Sequence, residues 1–121
     1  MLSPSFRPVV AKIFPAAKIG KGVIIGLNSG LSDHVEIDDF VMINNLTGVG
    51  HDVQVGKYTC IMSNVEISGG AQIGDEVFIG SHATILPKVK VENNAYVGAG
   101  SVVLKKVAAN TKVFGNPAVE I

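Results

Sequence analysis

Residues 43–60, INNLTGVGHDVQVGKYTC, place an aliphatic side chain at every sixth position, at Ile43, Val49 and Val55. Four residues after each of these comes a small or β-branched residue, namely Thr47, Val53 and Thr59. An amphipathic helix would need apolar residues three and four positions apart, and an amphipathic strand would need strict alternation. A period of six therefore predicts a short strand followed by a tight corner, repeated many times.

The same period extends in both directions without an insertion. The aliphatic positions are Ile13, Ile19, Ile25, Leu31, Ile37, Ile43, Val49, Val55, Ile61, Ile67, Ile73, Ile79, Ile85, Val91, Val97 and Val103. Glycine or a short polar residue often follows them, which gives the backbone freedom at the corners. Three hexads make one triangular coil. Stacked coils bring residues i and i+18 to the same corner, and they pack the aliphatic side chains inside.

The composition favours a single domain that binds neither nucleic acid nor an anionic membrane. The chain has 121 residues, 47% of them hydrophobic, and ten basic residues balance ten acidic ones. No net field or run of like charge would recruit nucleic acid or an anionic membrane. Cys60 is the single cysteine, and no apolar stretch approaches the length of a membrane span. These features favour a reducing, cytoplasmic location without membrane insertion.

From Ile13 to Val103 the repeat resembles that of the hexapeptide-repeat acyltransferases. The resemblance implies an all-β fold, a left-handed parallel β-helix of about six triangular coils with a short C-terminal tail. The left hand rests on the resemblance, because the general rule for parallel crossovers favours the right hand. We expect one domain with a lead-in over residues 1–12, coils over 13–108 and a tail over 109–121. The resemblance also implies a homotrimer with clefts between subunits.

His51 is a corner residue that turn chemistry does not explain. Histidine titrates near neutral pH, so an imidazole facing a cleft could remove a proton from an attacking amine or hydroxyl group. Asp52 is a candidate for orienting the ring, and Asp33, which stands at the same corner one coil earlier, is a second candidate. We interpret His34 and His82 as structural or solvent-exposed residues.

Residues 43–60 are similar to a segment of the sialic acid O-acetyltransferases and nucleotide-sugar N-acetyltransferases. In that group a histidine followed by an acidic residue is the general base. The resemblance implies that His51 and Asp52 are catalytic and that Asn44 contacts the sugar. It also implies that the backbone N–H of Gly69 receives the thioester carbonyl of acetyl-CoA. Cys60 stands where the group has a second, cofactor-side histidine, and we do not expect it to be a nucleophile.

Further cofactor contacts are implied along the coils. Ser81 and Ala99 correspond to corner positions whose backbone binds the pantetheine arm in related enzymes. Lys105, one coil beyond Pro87, would meet the nucleotide phosphates. The tail VFGNPAVEI, residues 113–121, resembles the Gly-x-Pro-Ala ending that closes the cofactor end of the cleft, with a valine where a basic residue is usual.

The leading functional prediction is transfer of an acetyl group from acetyl-CoA to an amino or hydroxyl group of a sugar, most simply a nucleotide-linked sugar, without a metal. Related enzymes carry an N-terminal nucleotide-binding domain, and this chain begins about where that domain would end. Either that domain is missing or the acceptor is smaller. One alternative is a non-catalytic trimeric scaffold. The other is a zinc enzyme similar to the γ-class carbonic anhydrases, which would need three converging histidines.

Overall fold

The hexad repeat folds into short strands separated by corners, as the sequence predicts. The computed structural model describes residues 11–121, so residues 1–10 of the predicted lead-in lie outside it. The strands are β1 Lys12–Ile13, β2 Lys18–Ile19, β3 Ile24–Ile25, β4 Gly30–Leu31, β5 Glu36–Ile37, β6 Met42–Ile43, β7 Gly48–Val49, β8 Gln54–Val55, β9 Cys60–Ile61, β10 Glu66–Ile67, β11 Gln72–Ile73, β12 Phe78–Ile79, β13 Thr84–Ile85, β14 Lys90–Val91, β15 Tyr96–Val97, β16 Val102–Val103, β17 Lys112–Gly115 and β18 Ala118–Glu120. Between residues 11 and 121 there is no helix that is long and apolar enough to cross a membrane.

Three sheets form the sides of a triangular prism. The first sheet contains β1, β4, β7, β10, β13 and β16, and the second contains β2, β5, β8, β11 and β14. The third contains β3, β6, β9, β12, β15, β17 and β18. Strands pair in parallel with partners three hexads along the chain, as in Lys12 with Gly30 and Glu66 with Thr84. The predicted left-handed parallel β-helix of about six coils is confirmed.

The core is a set of aliphatic columns along the prism axis. In the third sheet Ile25, Ile43, Ile61 and Ile79 stack one coil apart and have no exposed surface. Burial of a side chain of this size contributes about 1.5–3 kcal/mol relative to leaving it in water. Because each aliphatic residue points inward, the residue before it in the strand points outward and is available for other contacts.

The corners from residues 21–22 to residues 99–100 share a left-handed backbone conformation at their second turn residue. The non-glycine residues there have φ between 54° and 64°, and they include His34, Asp52 and His82. Asp, Asn and His tolerate this region better than most residues. The backbone therefore explains His34 and His82, whereas His51 stands at the first turn position and has no such explanation.

Buried hydroxyl groups tie neighbouring coils together. The Thr59 hydroxyl donates to the carbonyl of Gly74 at 2.7 Å and accepts the N–H of Val77 at 3.1 Å. Ser29 and Thr47 make equivalent bonds elsewhere in the prism. No buried side-chain polar atom in the described part of the chain lacks a partner.

The regular register ends after Val103. Ile85 pairs with Val103, three full hexads later, but Val91 forms a bridge with Val107, two positions short of that spacing. The corner between β16 and Val107 is thus shorter than the others. The tail then continues the third sheet, because β17 pairs in parallel with β15 and β18 folds back antiparallel on β17.

We predict that Thr59→Val lowers the free energy of unfolding. Valine has a similar shape but leaves the Gly74 carbonyl and the Val77 N–H without the hydroxyl, which costs about 1–3 kcal/mol for an unsatisfied buried group. Thr84→Val is the matched control, because the Thr84 hydroxyl has no hydrogen bond with residues 11–121. Equal urea midpoints for the two variants would contradict the role of the buried hydroxyl.

Candidate active site

One edge of the prism, between the first and second sheets, carries His51. We call it the His51 edge; it consists of the stacked turns 33–34, 51–52, 69–70 and 87–88. The N–H of Asp52 donates to the carbonyl of Asp33 at 3.1 Å, and the N–H of Gly70 donates to the carbonyl of His51 at 2.8 Å. These backbone bonds hold the turns directly above one another.

The imidazole of His51 is oriented by its neighbour. Nδ1 lies 2.9 Å from Oδ2 of Asp52, and the two side chains are 72% and 62% exposed. Since the carboxylate only accepts hydrogen bonds, Nδ1 carries the proton and the lone pair of the neutral ring is on Nε2. The exposed pair contributes little to stability. Its effect is to present Nε2 as an acceptor.

Gly69 lies directly against this acceptor. A Cβ atom added to Gly69 would lie 2.5 Å from Nε2 of His51, so the ring occupies the space that any side chain at residue 69 would need. Within residues 11–121 the N–H of Gly69 has no hydrogen-bond partner. A proton acceptor and an unbonded backbone donor therefore occur side by side.

The N–H of Gly69 is unbonded within the described part of the chain because the residue one coil later cannot accept a hydrogen bond from it through a side chain. On the edge between the second and third sheets, the N–H of Lys57 is capped by Oδ1 of Asp75 at 2.9 Å, and the N–H of Asp75 by Oδ1 of Asn93 at 2.8 Å. The residue one coil after Gly69 is Pro87, which has no polar side chain. The kind of cap that bonds the N–H groups of Lys57 and Asp75 is therefore missing at Gly69.

The other predicted residues near His51 lie at different places. The Asp33 side chain makes no hydrogen bond with the described residues, so Asp52 and not Asp33 is hydrogen-bonded to the ring. Asn44 lies at the far end of β7, at the preceding corner of the same coil. Its side-chain amide lies 3.9 Å from Sδ of Met62. Within one chain the structure therefore does not bring Asn44 to His51.

The predicted cofactor residues are divided between two edges. Ser81 and Ala99 lie on the edge between the third and first sheets, which we call the Ser81 edge, and the N–H of Gly100 donates to the carbonyl of Ser81 at 2.8 Å. Gly69 lies on the His51 edge. Lys105 is exposed at the shortened corner and not in a regular turn above Pro87, because the register changes there.

Cys60 does not have the surroundings of a reactive thiol. It is on β9, at an outward position of the third sheet, and it is partly buried. Burial raises the pKa of its thiol, so the thiolate is disfavoured at neutral pH.

No other catalytic or metal centre emerges from residues 11–121. They contain no group of three His, Cys, Asp or Glu side chains that could hold a metal ion, so the zinc alternative gains no support. Two shallow depressions of about 500 and 520 Å³ lie on the face of the second sheet, and neither includes His51 or Gly69.

Comparison with known proteins agrees with the sequence analysis. The family described as bacterial transferase hexapeptide, with six repeats, matches residues 70–105. No curated protein sequence gives a significant match. This match and the likeness to solved acetyltransferase structures confirm the predicted resemblance to hexapeptide-repeat acetyltransferases.

The solved structures include acetyltransferases at high structural similarity. The acetyltransferase domain of PglB from Neisseria gonorrhoeae FA1090 has a TM-score of 0.96 at 27% identity, over 98% of this chain and 58% of that one. The same domain in complex with acetyl coenzyme A has a TM-score of 0.92 at 27% identity, over 93% of this chain and 55% of that one. PerB from Caulobacter crescentus, in complex with CoA and GDP-perosamine, has a TM-score of 0.97 at 26% identity, over 99% of this chain and 57% of that one. This chain spans less than two thirds of the length of each.

We predict that the neutral His51 ring carries its proton on Nδ1. Long-range ¹H–¹⁵N NMR at alkaline pH should show this tautomer for His51 in the wild type and its loss in Asp52→Asn, since asparagine also tolerates the left-handed region. His34 and His82 are internal controls, because their rings have no hydrogen bond with residues 11–121. A His51 signal unaffected by Asp52→Asn would show that the carboxylate does not orient the ring.

Proposed function

We propose that the chain is an acetyltransferase that moves the acetyl group of acetyl-CoA to an amino or hydroxyl group of a nucleotide-linked sugar. The observation that carries this proposal is the position of Nε2 of His51 against Gly69, whose N–H is free within the described residues. The proposal is supported by the structural likeness to domains whose solved complexes contain acetyl coenzyme A, or CoA with GDP-perosamine.

In the proposed reaction His51 is the general base. Its Nε2 accepts the proton of the acceptor amine or hydroxyl as that group attacks the thioester carbon, and Asp52 stabilises the imidazolium that forms. The N–H of Gly69 donates to the developing oxyanion; loss of such a donor typically costs about 3–4 kcal/mol. When the carbon–sulfur bond breaks, the imidazolium returns the proton to the departing thiolate. No acyl-enzyme forms, which agrees with the raised pKa of Cys60.

The pantetheine arm is proposed to run from Gly69 towards the C-terminal coils. Ser81 and Ala99 lie across the first sheet from that line, on the Ser81 edge. If the Ser81 edge of one copy faces the His51 edge of the next, both sets of contacts serve the same cofactor, with Lys105 near its phosphates. The same arrangement lets Asn44 of a neighbouring copy approach the sugar.

We therefore propose a homotrimer with its sites between subunits. The outward residues of the third sheet are mainly apolar and include Ile24, which is 47% exposed, and Tyr96, which is 43% exposed and stacked on Phe78 at 4.8 Å. Such a continuous apolar face is typical of an interface between subunits. A single cysteine and the use of acetyl-CoA fit a cytoplasmic location, which is also part of the proposal.

The activity is tested by release of CoA thiol from acetyl-CoA with a panel of nucleoside diphosphate sugars, including GDP-perosamine, and free sugars. We predict that His51→Ala lowers kcat by two to four orders of magnitude, about the effect of losing a general base. Its dissociation constant for acetyl-CoA, measured by calorimetry, and its mass by light scattering should not change. Undiminished turnover in this variant would exclude His51 from the reaction.

The matched control is His82→Ala, which removes an exposed turn imidazole at another corner and should keep wild-type turnover. A wild-type chain that binds no acetyl-CoA would overturn the enzyme proposal and favour the scaffold alternative.

We also predict that Gly69→Ala lowers kcat by about 10²–10³-fold, because the added Cβ displaces the imidazole and obstructs the carbonyl at the oxyanion donor. Lys57→Ala is the control, since Lys57 occupies the same turn position in another corner. Both variants should unfold at similar urea concentrations. Equal kcat values would contradict the role of Gly69.

A further inference from the structure

Two glycines interrupt the outward face of the first sheet. Gly30 and Gly48 are strand residues that pair directly, one coil apart. At the equivalent outward position of the other two-residue strands there is always a side chain. Glycine weakens a strand, and where it occurs it often marks the close approach of a ligand. These two positions therefore need an explanation.

The fold does not require glycine at residue 30. A Cβ added to Gly30 would meet only the carbonyl oxygen of Lys12, at 3.9 Å, and its φ is not in the left-handed region. A Cβ on Gly48 would lie 3.1 and 3.3 Å from the two carboxylate oxygens of Glu66. The carboxylate of Glu66 thus lies close to the outer face of Gly48.

The glycines form the floor of a groove of about 260 Å³. Its lining includes Lys12 and Phe14 at one end and Glu66 at the other. The groove also reaches Gly50, the residue before His51, and a Cβ there would lie 2.7 Å from the backbone N of Gly69. An occupant of the groove therefore lies beside the proposed reacting groups.

The groove lies on the side of His51 opposite the proposed cofactor path. The thioester would be at Gly69, and the pantetheine arm would run towards later coils. Gly30 and Gly48 belong to earlier coils, so a nucleophile in the groove would approach the carbonyl from the free side. From Lys12 to Glu66 the groove spans three coil spacings, about 14 Å.

On the basis of the proposed function, we propose that this groove is the acceptor subsite and holds the sugar ring over Gly30 and Gly48. Glu66 is the specificity-determining residue, because its carboxylate accepts hydrogen bonds from the hydroxyl or amino groups of the ring. The exposed ring of Phe14 offers an apolar face, and Lys12 matches a phosphate linked to the sugar. Aromatic and charged groups around a shallow floor suit a sugar better than an apolar ligand.

The test uses Gly30→Val, which fills the floor and is compatible with a strand, and Glu66→Gln, which keeps the shape and removes the charge. The acceptor is UDP-glucosamine or the nucleotide sugar with the highest wild-type turnover. We predict that each variant raises the KM of the acceptor at least tenfold and leaves the KM of acetyl-CoA and the oligomer mass unchanged. Gln54→Val, an outward strand position on the second sheet, is the control and should keep wild-type constants.

NMR separates this proposal from the proposed function. UDP-glucosamine should shift the amide signals of Gly30 and Gly48, and CoA alone should not. If CoA binds but UDP-glucosamine does not shift the Gly30 and Gly48 signals, or if the KM of the acceptor is unchanged in both variants, the acceptor subsite is overturned and the acetyltransferase proposal stands. A loss of oligomer mass in Gly30→Val would instead assign the groove to a neighbouring copy and would overturn the acceptor subsite. Failure to bind acetyl-CoA would overturn both.

Discussion

Hydrogen bonding between coils at the spacing of three hexads is the constraint on which every other feature depends. The strand N–H groups of one coil donate to carbonyls of the next, and turn N–H groups bridge the coils as well, as Gly70 does to His51. A shift of one residue would turn the aliphatic columns outwards. It would also separate His51 from Gly69, so the same backbone bonds that enclose the core align the candidate site.

The candidate site differs from the other hexad corners of the described chain by the glycine at its first turn position. At several other corners an Asp or Asn in the next coil caps the turn N–H, as Asp75 does for Lys57. At Gly69 the cap is replaced by Pro87, and the Cβ is absent where the imidazole lies. An uncapped donor and a vacant side-chain position are small costs in a fold with so many coil-to-coil bonds. They leave space and a hydrogen-bond donor for a substrate.

Most of the architecture can be predicted from the sequence, because a repeat of six specifies inward positions and corners independently of distant context. The proximity of His51 and Gly69 also follows from their separation by one coil. The sequence made both Asp52 and Asp33 candidates for orienting His51 and could not decide between them, since neighbouring side chains often diverge. In the structure Asp52, which has a left-handed backbone, is the one bonded to the ring. The position of Lys105 was less predictable still, because the aliphatic pattern continues through Val103 and does not reveal the shorter corner that follows.

The two outward glycines, Gly30 and Gly48, are also compatible with the hexad repeat, so the repeat does not single them out. Only the surrounding atoms show that a side chain would fit at residue 30.

The shortened corner and the reversed strand β18 have a consequence for self-association. A solenoid with parallel strands exposes at each end a rung that another copy could continue, which is a route to fibres. Beyond Val103 the spacing is shorter by two positions, and β18 runs against the direction of its sheet. A second prism placed on this end would find its strands out of phase at the shortened corner and opposed at β18. The C-terminal segment thus ends the parallel ladder of the third sheet with an antiparallel strand, which a second prism could not continue in register.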